Sequence, residues 1–243
     1  MTAAAEHRRV FLSIVIPAYN EERRLGPTLA RIRQYLASQS YAAEVIVVDN
    51  ASHDRTGDVA RAAGVEVILE PRRGKGAAVR TGMLAARGEY VLFSDADLST
   101  PIEEVEKLLA ALEAGHDIAI ASRALRESNL AVRQPWYREL VGRVGNLLVR
   151  LVAVRGIADT QCGFKLFPRE LARRLFGAQR LTGIAFDMEV LFLVQRLGLS
   201  IAEVPVTWVD SPDTRIHRVR DSLDALKDLA RIRVNWWLRR YRL

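Results

Sequence analysis

The chain has a single cysteine, Cys162, in 243 residues. One thiol excludes an internal disulfide and a cysteine-rich zinc site, and without a partner Cys162 reads as a packing residue. Histidine is nearly as scarce. His7, His53, His116 and His217 are scattered and form no metal-ligand spacing. Long hydrophobic runs are missing too, since none reaches the roughly 18–20 uninterrupted apolar residues of a membrane span. The apolar run from Val10 to Pro17 is too short for a signal sequence and gives way to Tyr19-Asn20-Glu21-Glu22. These absences set the expectation of a cytoplasmic protein. The phosphate-loop spacing Gly-x-x-x-x-Gly-Lys-Ser/Thr is absent, as are internal repeats, low-complexity stretches and recognised nucleic-acid motifs.

What is present is an ordinary globular composition, 49% hydrophobic and 27% charged, with enough length for one large domain. The net charge of +7 is unevenly placed. Residues 1–120 hold 14 Lys and Arg against 17 Asp and Glu, whereas residues 121–243 hold 22 against 12. A near-neutral front half and a basic back half point to an anionic partner on the back half. Arginine supplies 32 of the 36 basic residues, so arginine on solvated faces accounts for part of that excess.

Strand and helix signals alternate over the first 120 residues. Buried strands are expected at 11–17, 44–49, 65–70, 89–95 and 116–122, with helices near 22–38, 54–63 and from Pro101 to about Ala114. Gly74 to Ala86 reads as a loop entering a helix. This alternation implies βαβ units and a mostly parallel sheet. The second half is less regular: an amphipathic helix over 135–154, a glycine-containing loop over 156–168, helices near 169–177 and 187–197, a strand at 201–208 and a last basic helix at 219–240. Pro205 marks the 201–208 strand as an edge or a strand end. The 135–154 helix and the Trp236-Trp237 end have the character of segments that lie on a membrane surface or pack on the domain.

Ligands of such sheets sit beyond the carboxyl ends of the strands. Polar groups occupy those ends: Tyr19-Asn20-Glu21, Asp49-Asn50, Pro71 to Gly76, Asp95 with Asp97, and Ser122-Arg123. Asp95-Ala96-Asp97 offers two carboxylates able to share Mg2+ or Mn2+ and, through it, a diphosphate. Arg72-Arg73-Gly74-Lys75-Gly76 is a basic loop whose glycines let backbone N–H groups approach an oxyanion at a helix start. Each group alone also reads as an ordinary turn or cap; their convergence is what points to one composite site.

The ordered segments IVIPAYNEERRL, VIVVDNASHDRT, GKGAAVRTGM and YVLFSDADLS resemble the family-two inverting glycosyltransferases of GT-A fold. ASR at 121–123, IADTQCGFKLF at 157–167 and AFDMEVL at 185–191 are similar to the dolichyl-phosphate β-glucosyltransferases and their prokaryotic polyprenyl-phosphate relatives. The likeness runs from about residue 11 to residue 232. It implies an α/β, Rossmann-like, mostly parallel sheet flanked by helices, with C-terminal amphipathic helices. It also implies a single domain over 1–243, in which about 10–123 binds the nucleotide sugar and about 124–243 binds the acceptor and carries peripheral helices.

The resemblance also implies roles. Pro17, Ala18, Tyr19 and Glu21 line the nucleoside pocket, and Asp49 accepts a hydrogen bond from the base. Lys75 lies near the base or the diphosphate. Asp95, Ala96 and Asp97 hold the donor, with Asp95 and Asp97 on the metal, Mg2+ or Mn2+. Arg123 and Arg138 grip the acceptor phosphate, and Arg215 closes over the diphosphate. Ser99 stands where mannosyl relatives often keep Gln, and Gly142 where they keep Ser. Asp159 and Asp187 orient an acceptor or place a basic side chain, Asp187 standing where sugar-accepting relatives keep a base. The implied reaction moves a hexose, glucose by subgroup, from a UDP-sugar to a polyprenyl phosphate with inversion. The implied setting is peripheral, on the inner face of the cell membrane. The alternative acceptor is a soluble or glycan hydroxyl. A non-enzymatic nucleotide- or nucleic-acid-binding module is the remoter alternative; nucleic acid is not an expected partner, and the sequence fixes no oligomeric state.

Overall fold

The computed structural model describes residues 9–125, 127–130, 154, 156–209 and 218–243. The five expected front-half strands form as β1 (Leu12–Ala18), β2 (Ala43–Asp49), β3 (Glu66–Leu69), β4 (Tyr90–Ser94) and β5 (Ile118–Ser122), each within two residues of its expected bounds. Between them lie α1 (Leu25–Ala37), α2 (Thr56–Ala62), α3 (Lys75–Ala85) and α4 (Val105–Glu113). Pro101 starts a 3-10 turn, Ile102–Glu104, which leads into α4. After β6 (Asn129–Leu130) the described chain continues through β7 (Phe164–Pro168), α5 (Arg169–Ala178), α6 (Phe186–Arg196), β8 (Ile201–Pro205), β9 (Thr207–Trp208) and α7 (Arg218–Trp237). The helix expected at 135–154 lies outside the described residues, apart from the isolated Val154.

Seven strands make the main sheet in the order β3-β2-β1-β4-β7-β5-β8, while β6 and β9 pair as a separate parallel ribbon. Every pairing in the main sheet is parallel except those of β7, which runs antiparallel to β4 and to β5. The expectation of a loop over 156–168 is corrected here, because its last residues form a central strand. Glycines and polar residues upstream, and a lysine within Phe164-Lys165-Leu166-Phe167, hide the apolar run. Pro205 does end an edge strand, β8, as a residue with no N–H to donate should.

Side chains alternate across the sheet and fill two cores. Leu12, Ile14, Ile16, Val47 and Leu92 face α1 and α4, packing on Leu25, Leu29, Ile32, Val105 and Leu108. Val15, Ile46, Val48, Val91 and Phe93 face the other way, against Val79 and Met83 of α3 and Phe186 and Leu193 of α6. The result is a helix–sheet–helix sandwich. Fully burying one such side chain stabilises the fold by about 1.5–3 kcal/mol. These cores hold the strand ends rigid, and the functional loops hang from them.

Candidate active site

The loops after β1, β2 and β4 share a backbone signature. Asn20 (φ 55°), Ala51 (φ 55°) and Leu98 (φ 49°) all sit in the left-handed region, at a cost that persists where surrounding structure imposes it. The imposing contacts are visible. Asn20 N–H donates to Ser52 Oγ (3.0 Å), Glu21 N–H to Thr56 Oγ1 (2.7 Å), and His53 N–H to Asn20 Oδ1 (2.8 Å), which locks the β1 loop to the β2 loop. Asp49 Oδ1 accepts from Ser52 N–H (3.0 Å). Pro17 and Ala18 end β1 beside Val48 and Asp49 in parallel register. Glu21 holds Arg24 through two hydrogen bonds (2.7 and 2.6 Å).

Asn50 is the organiser of the basic loop. It is buried, donates from Nδ2 to the carbonyls of Glu70 (3.0 Å) and Arg72 (2.7 Å), and accepts at Oδ1 from Gly74 N–H (2.8 Å). Gly74 has φ 132°, and a Cβ there would fall 2.2 Å from the Thr182 carbonyl oxygen, so only glycine fits. The three cations of the loop diverge. Arg72 pairs with Glu70 through Nε and Nη2, both at 2.9 Å. Arg73 lies over the Tyr19 ring at 4.2 Å, and His53 meets that ring edge-on. Lys75, first residue of α3, turns to the carboxylates after β4.

Asp95 Oδ1 is 2.6 Å from Lys75 Nζ. Burial acts to lower the Lys75 pKa, but the charges of Asp95, Asp187 and Asp97 outweigh it and leave the pKa raised, so the side chain is a fixed cation. Asp97 Oδ1 accepts from Ser99 N–H (3.1 Å), and its Oδ2 is 4.0 Å from Arg24 Nη1. The reversed strand β7 brings Gly163 against this pair. Asp95 N–H donates to the Gly163 carbonyl (3.0 Å), and a Cβ on Gly163 would fall 1.9 Å from Asp95 Oδ2.

On the other side of β7, Arg123 follows β5. Its Nε and Nη2 clamp the buried Asp159 carboxylate at 2.7 and 2.9 Å, and its backbone N–H adds a third bond at 3.0 Å. Burial works to raise the Asp159 pKa, but the Arg123 charge and hydrogen bonds win and hold it low. Trp208 supports the guanidinium from 5.6 Å. Glu203 of β8 in turn accepts from the N–H groups of Ala158 (3.0 and 2.9 Å) and Asp159 (2.8 Å). A relay thus runs from Glu203 through Asp159 to Arg123. Arg138 and Arg215 lie outside the described residues.

Beneath the site Lys165 and Asp187 form a buried pair, 2.8 Å apart and only 2% and 4% exposed. The contact at Asp187 Oδ1 is an ion pair. Lys165 also donates to the Cys162 carbonyl. Burial keeps the Asp187 pKa raised despite Lys165 and Lys75. Cys162 is a protonated thiol, pushed up to about 11 by burial, as its reading as a packing residue requires.

The structure therefore gathers Asp95, Ala96, Asp97, Lys75, Arg123, Asp159 and Asp187 around the β4–β7–β5 ends, and Pro17, Ala18, Tyr19, Glu21 and Asp49 around the β1–β2 ends. Sequence reasoning missed Lys165 and Glu203 and gave Asn50 no role of its own. The alternation of 201–208 was a usable signal for Glu203, but nothing local marks its partners.

A divalent ion suits the donor set. Among the described residues no group of three or more His, Cys, Asp or Glu converges on one point. Asp95 and Asp97 thus offer two hard oxygen ligands, with phosphate oxygens and water left to complete the shell, which is how Mg2+ and Mn2+ are commonly held beside diphosphates.

A Rossmann-like sheet whose switch-point rim carries a carboxylate pair, a basic helix-start loop and a clamped arginine defines a GT-A glycosyltransferase. The model of glycosyl transferase family 2 matches residues 13–176, and the chain belongs to that family. It is 38% identical over 251 residues to the dolichyl-phosphate β-glucosyltransferase of Drosophila melanogaster, covering 96% of this chain and 77% of that one. The human protein of the same name is 37% identical, with 96% and 78% covered. Among solved structures, glucosyl-3-phosphoglycerate synthase from Mycobacterium tuberculosis, in complex with Mn2+ and UDP-glucose, aligns with a TM-score of 0.66. It is 25% identical, with 96% of this chain and 79% of that one covered.

Proposed function

We propose that this glycosyltransferase moves glucose from UDP-glucose to a polyprenyl phosphate of dolichyl type, inverting the anomeric carbon, with Mg2+ or Mn2+ bound at Asp95 and Asp97. The observation that carries the reading is the adjacency created by β7. It sets the Asp95–Lys75 cluster and the Asp159–Arg123 clamp on strand ends separated only by β7, which supports a donor diphosphate and an acceptor anion meeting there. The relatives named dolichyl-phosphate β-glucosyltransferases support the acceptor class, and the Mn2+ and UDP-glucose complex of the structural neighbour supports the donor and the ion.

In this reading Tyr19, Asp49 and the Asn50-held loop bind the nucleoside. Arg73 completes a stacking wall over Tyr19. A divalent ion at Asp95 and Asp97 supplies positive charge against the departing UDP. Lys75 adds a second fixed cation on the same side. Arg123, oriented by Asp159, receives the acceptor phosphate, with Arg138 assigned to the same anion and Arg215 to the diphosphate. A phosphate monoester is ionised near neutral pH, so positioning and charge stabilisation carry the rate rather than a general base. Asp187 fits this, because its burial against Lys165 makes it a charge-balancing group under Lys75. The domain works as one unit, with about 10–123 serving mainly the donor and about 124–243 mainly the acceptor, Arg123 and Arg215 each reaching across that division, in the cytoplasm at the inner face of the membrane. Among the described residues no helix is long and apolar enough to cross a membrane.

The test is incubation with Mn2+, radiolabelled UDP-glucose and a polyprenyl phosphate. Label in an acid-labile lipid product is expected, with Asp97→Ala folded and inactive. Absence of label across several nucleotide sugars overturns the proposal. Label appearing only on a soluble hydroxyl acceptor, with Asp187→Asn costing more than Arg138→Ala, establishes the alternative acceptor.

A further inference from the structure

The last turn of α7 divides its two tryptophans. Trp236 faces inward, edge-on to Phe192 at 5.6 Å and under the Arg196 guanidinium at 5.4 Å. Trp237 faces outward and is 82% exposed. Val234 and Leu238 are exposed beside it at helical spacing, and Arg231, paired with Asp228 Oδ1 at 2.9 Å, extends the same face, opposite the buried Leu229 and Ile232. Residues 229–243 contain five arginines and no Asp or Glu. Of these, Arg231, Arg239, Arg240 and Arg242 are exposed.

This segment is mounted firmly. The Tyr241 hydroxyl donates to Glu189 Oε1 (2.7 Å), and Arg180 donates from Nε (2.9 Å) and Nη2 (2.6 Å) to the Arg240 carbonyl. It also adjoins the site. Asp228 of α7 approaches Gly183, whose neighbours Leu181 and Thr182 lie against Gly74 and Gly76 at the start of α3.

We propose that the Val234–Trp237–Leu238 face, ringed by these arginines, docks on an anionic lipid bilayer. An exposed indole with aliphatic neighbours inserts at the headgroup boundary, and arginines around it meet lipid phosphates. A second copy is a poor occupant, since a two-fold pairing sets Arg239, Arg240 and Arg242 against their own copies with no Asp or Glu in residues 229–243 to answer them, Asp228 being already paired with Arg231. The apolar cluster is also far smaller than the roughly 20–30 residues a side of a stable protein interface. The inference rests on the lipid-acceptor reading for its purpose, because docking here brings the cleft to the acceptor's membrane. Binding itself is measurable without any sugar nucleotide.

The experiment is co-sedimentation of the full chain with vesicles of phosphatidylcholine alone and of phosphatidylcholine with phosphatidylglycerol. The wild type is expected to bind the anionic vesicles, to release with rising salt, and to shift its tryptophan emission to shorter wavelength on binding. The Trp237→Ser/Leu238→Ser double variant is expected to melt like the wild type and bind about tenfold more weakly, and Arg239→Gln/Arg242→Gln to lose affinity for anionic vesicles. Retention of wild-type binding by the serine variant overturns the proposal. So does absence of binding to either vesicle, or sedimentation velocity showing a dimer that Trp237→Ser dissociates. Glucosyl transfer to a short, water-soluble polyprenyl phosphate should survive in the serine variant. If vesicle binding fails while that transfer persists, the docking inference falls and the catalytic reading stands.

Discussion

Replacing Gly163 by alanine tests how β7 builds the site. Gly163 does not have a positive φ, so alanine fits its backbone and the whole cost is steric. The added Cβ would lie 1.9 Å from Asp95 Oδ2, 2.2 Å from Cγ and 2.7 Å from Oδ1. Non-bonded atoms settle at about 3.5–4 Å, so the whole carboxyl group must retreat by about 1 Å or more. Asp95 is partly exposed and has room to move, which keeps the stability loss within about 1–3 kcal/mol, the usual range for overpacking. A displacement of that size at a reacting centre costs about 100-fold in rate. The expected result for Gly163→Ala is therefore a fold that melts slightly early, a kcat/KM for UDP-glucose reduced about 100-fold, and weaker UDP binding in the presence of Mn2+. Gly177→Ala is the control. It lies in α5 with nothing within 4 Å of the new Cβ, so it should leave turnover intact and stabilise the helix by about 0.5–1 kcal/mol. Turnover of Gly163→Ala within about threefold of wild type would refute the claim that this glycine holds Asp95 in register.

Three further outcomes follow from other parts of the structure. Lys165→Met leaves the buried Asp187 with only Lys75 to balance it and should cost about 3 kcal/mol in urea unfolding, with Lys165→Met/Asp187→Leu recovering most of it; equal losses in both would contradict the pairing. Glu203→Gln loosens the backbone that carries Asp159, so KM for the acceptor should rise while UDP affinity stays unchanged, and a matching loss of UDP binding would count against the relay. Glu70 is held at about 2, below its ordinary 4.5, by hydrogen bonds from Arg72 and, against opposing burial, from the Thr81 hydroxyl. Its folded pKa is depressed, so its stabilisation is full above pH 4.5 and is lost as pH falls from there to about 2. Acid melting curves of Glu70→Gln should lack that component, and superimposable curves would show that Glu70 contributes none of it.

The donor half was legible in the sequence because its signals are local. Each apolar run from Leu12 to Ser122 ends in a polar cluster, and parallel sheets put such ends on one rim. The basic loop was readable as a helix entry, and Lys75 does start α3. The divergence of Arg72, Arg73 and Lys75 was not readable, since it depends on Glu70, Tyr19 and Asp95 standing at three places around the loop. β7 was missed because Lys165 gives a central strand a polar appearance. The partner that explains that lysine, Asp187, lies on α6 and meets it only in the folded chain. Glu203 was hidden for a related reason. Its strand was recognisable by alternation, but its bonds to Ala158 and Asp159 arise only because β8 pairs with β5. Asp159 carried two readings, and the geometry matches the one in which it places a basic side chain, Arg123.

The most direct measurement is a crystal structure with UDP-glucose and Mn2+, using anomalous scattering to locate the ion. Manganese is expected between Asp95, Asp97 and the diphosphate, with the anomeric carbon turned toward Arg123 across the end of β7. Manganese held elsewhere, or a glucose facing away from Arg123, would contradict the proposal.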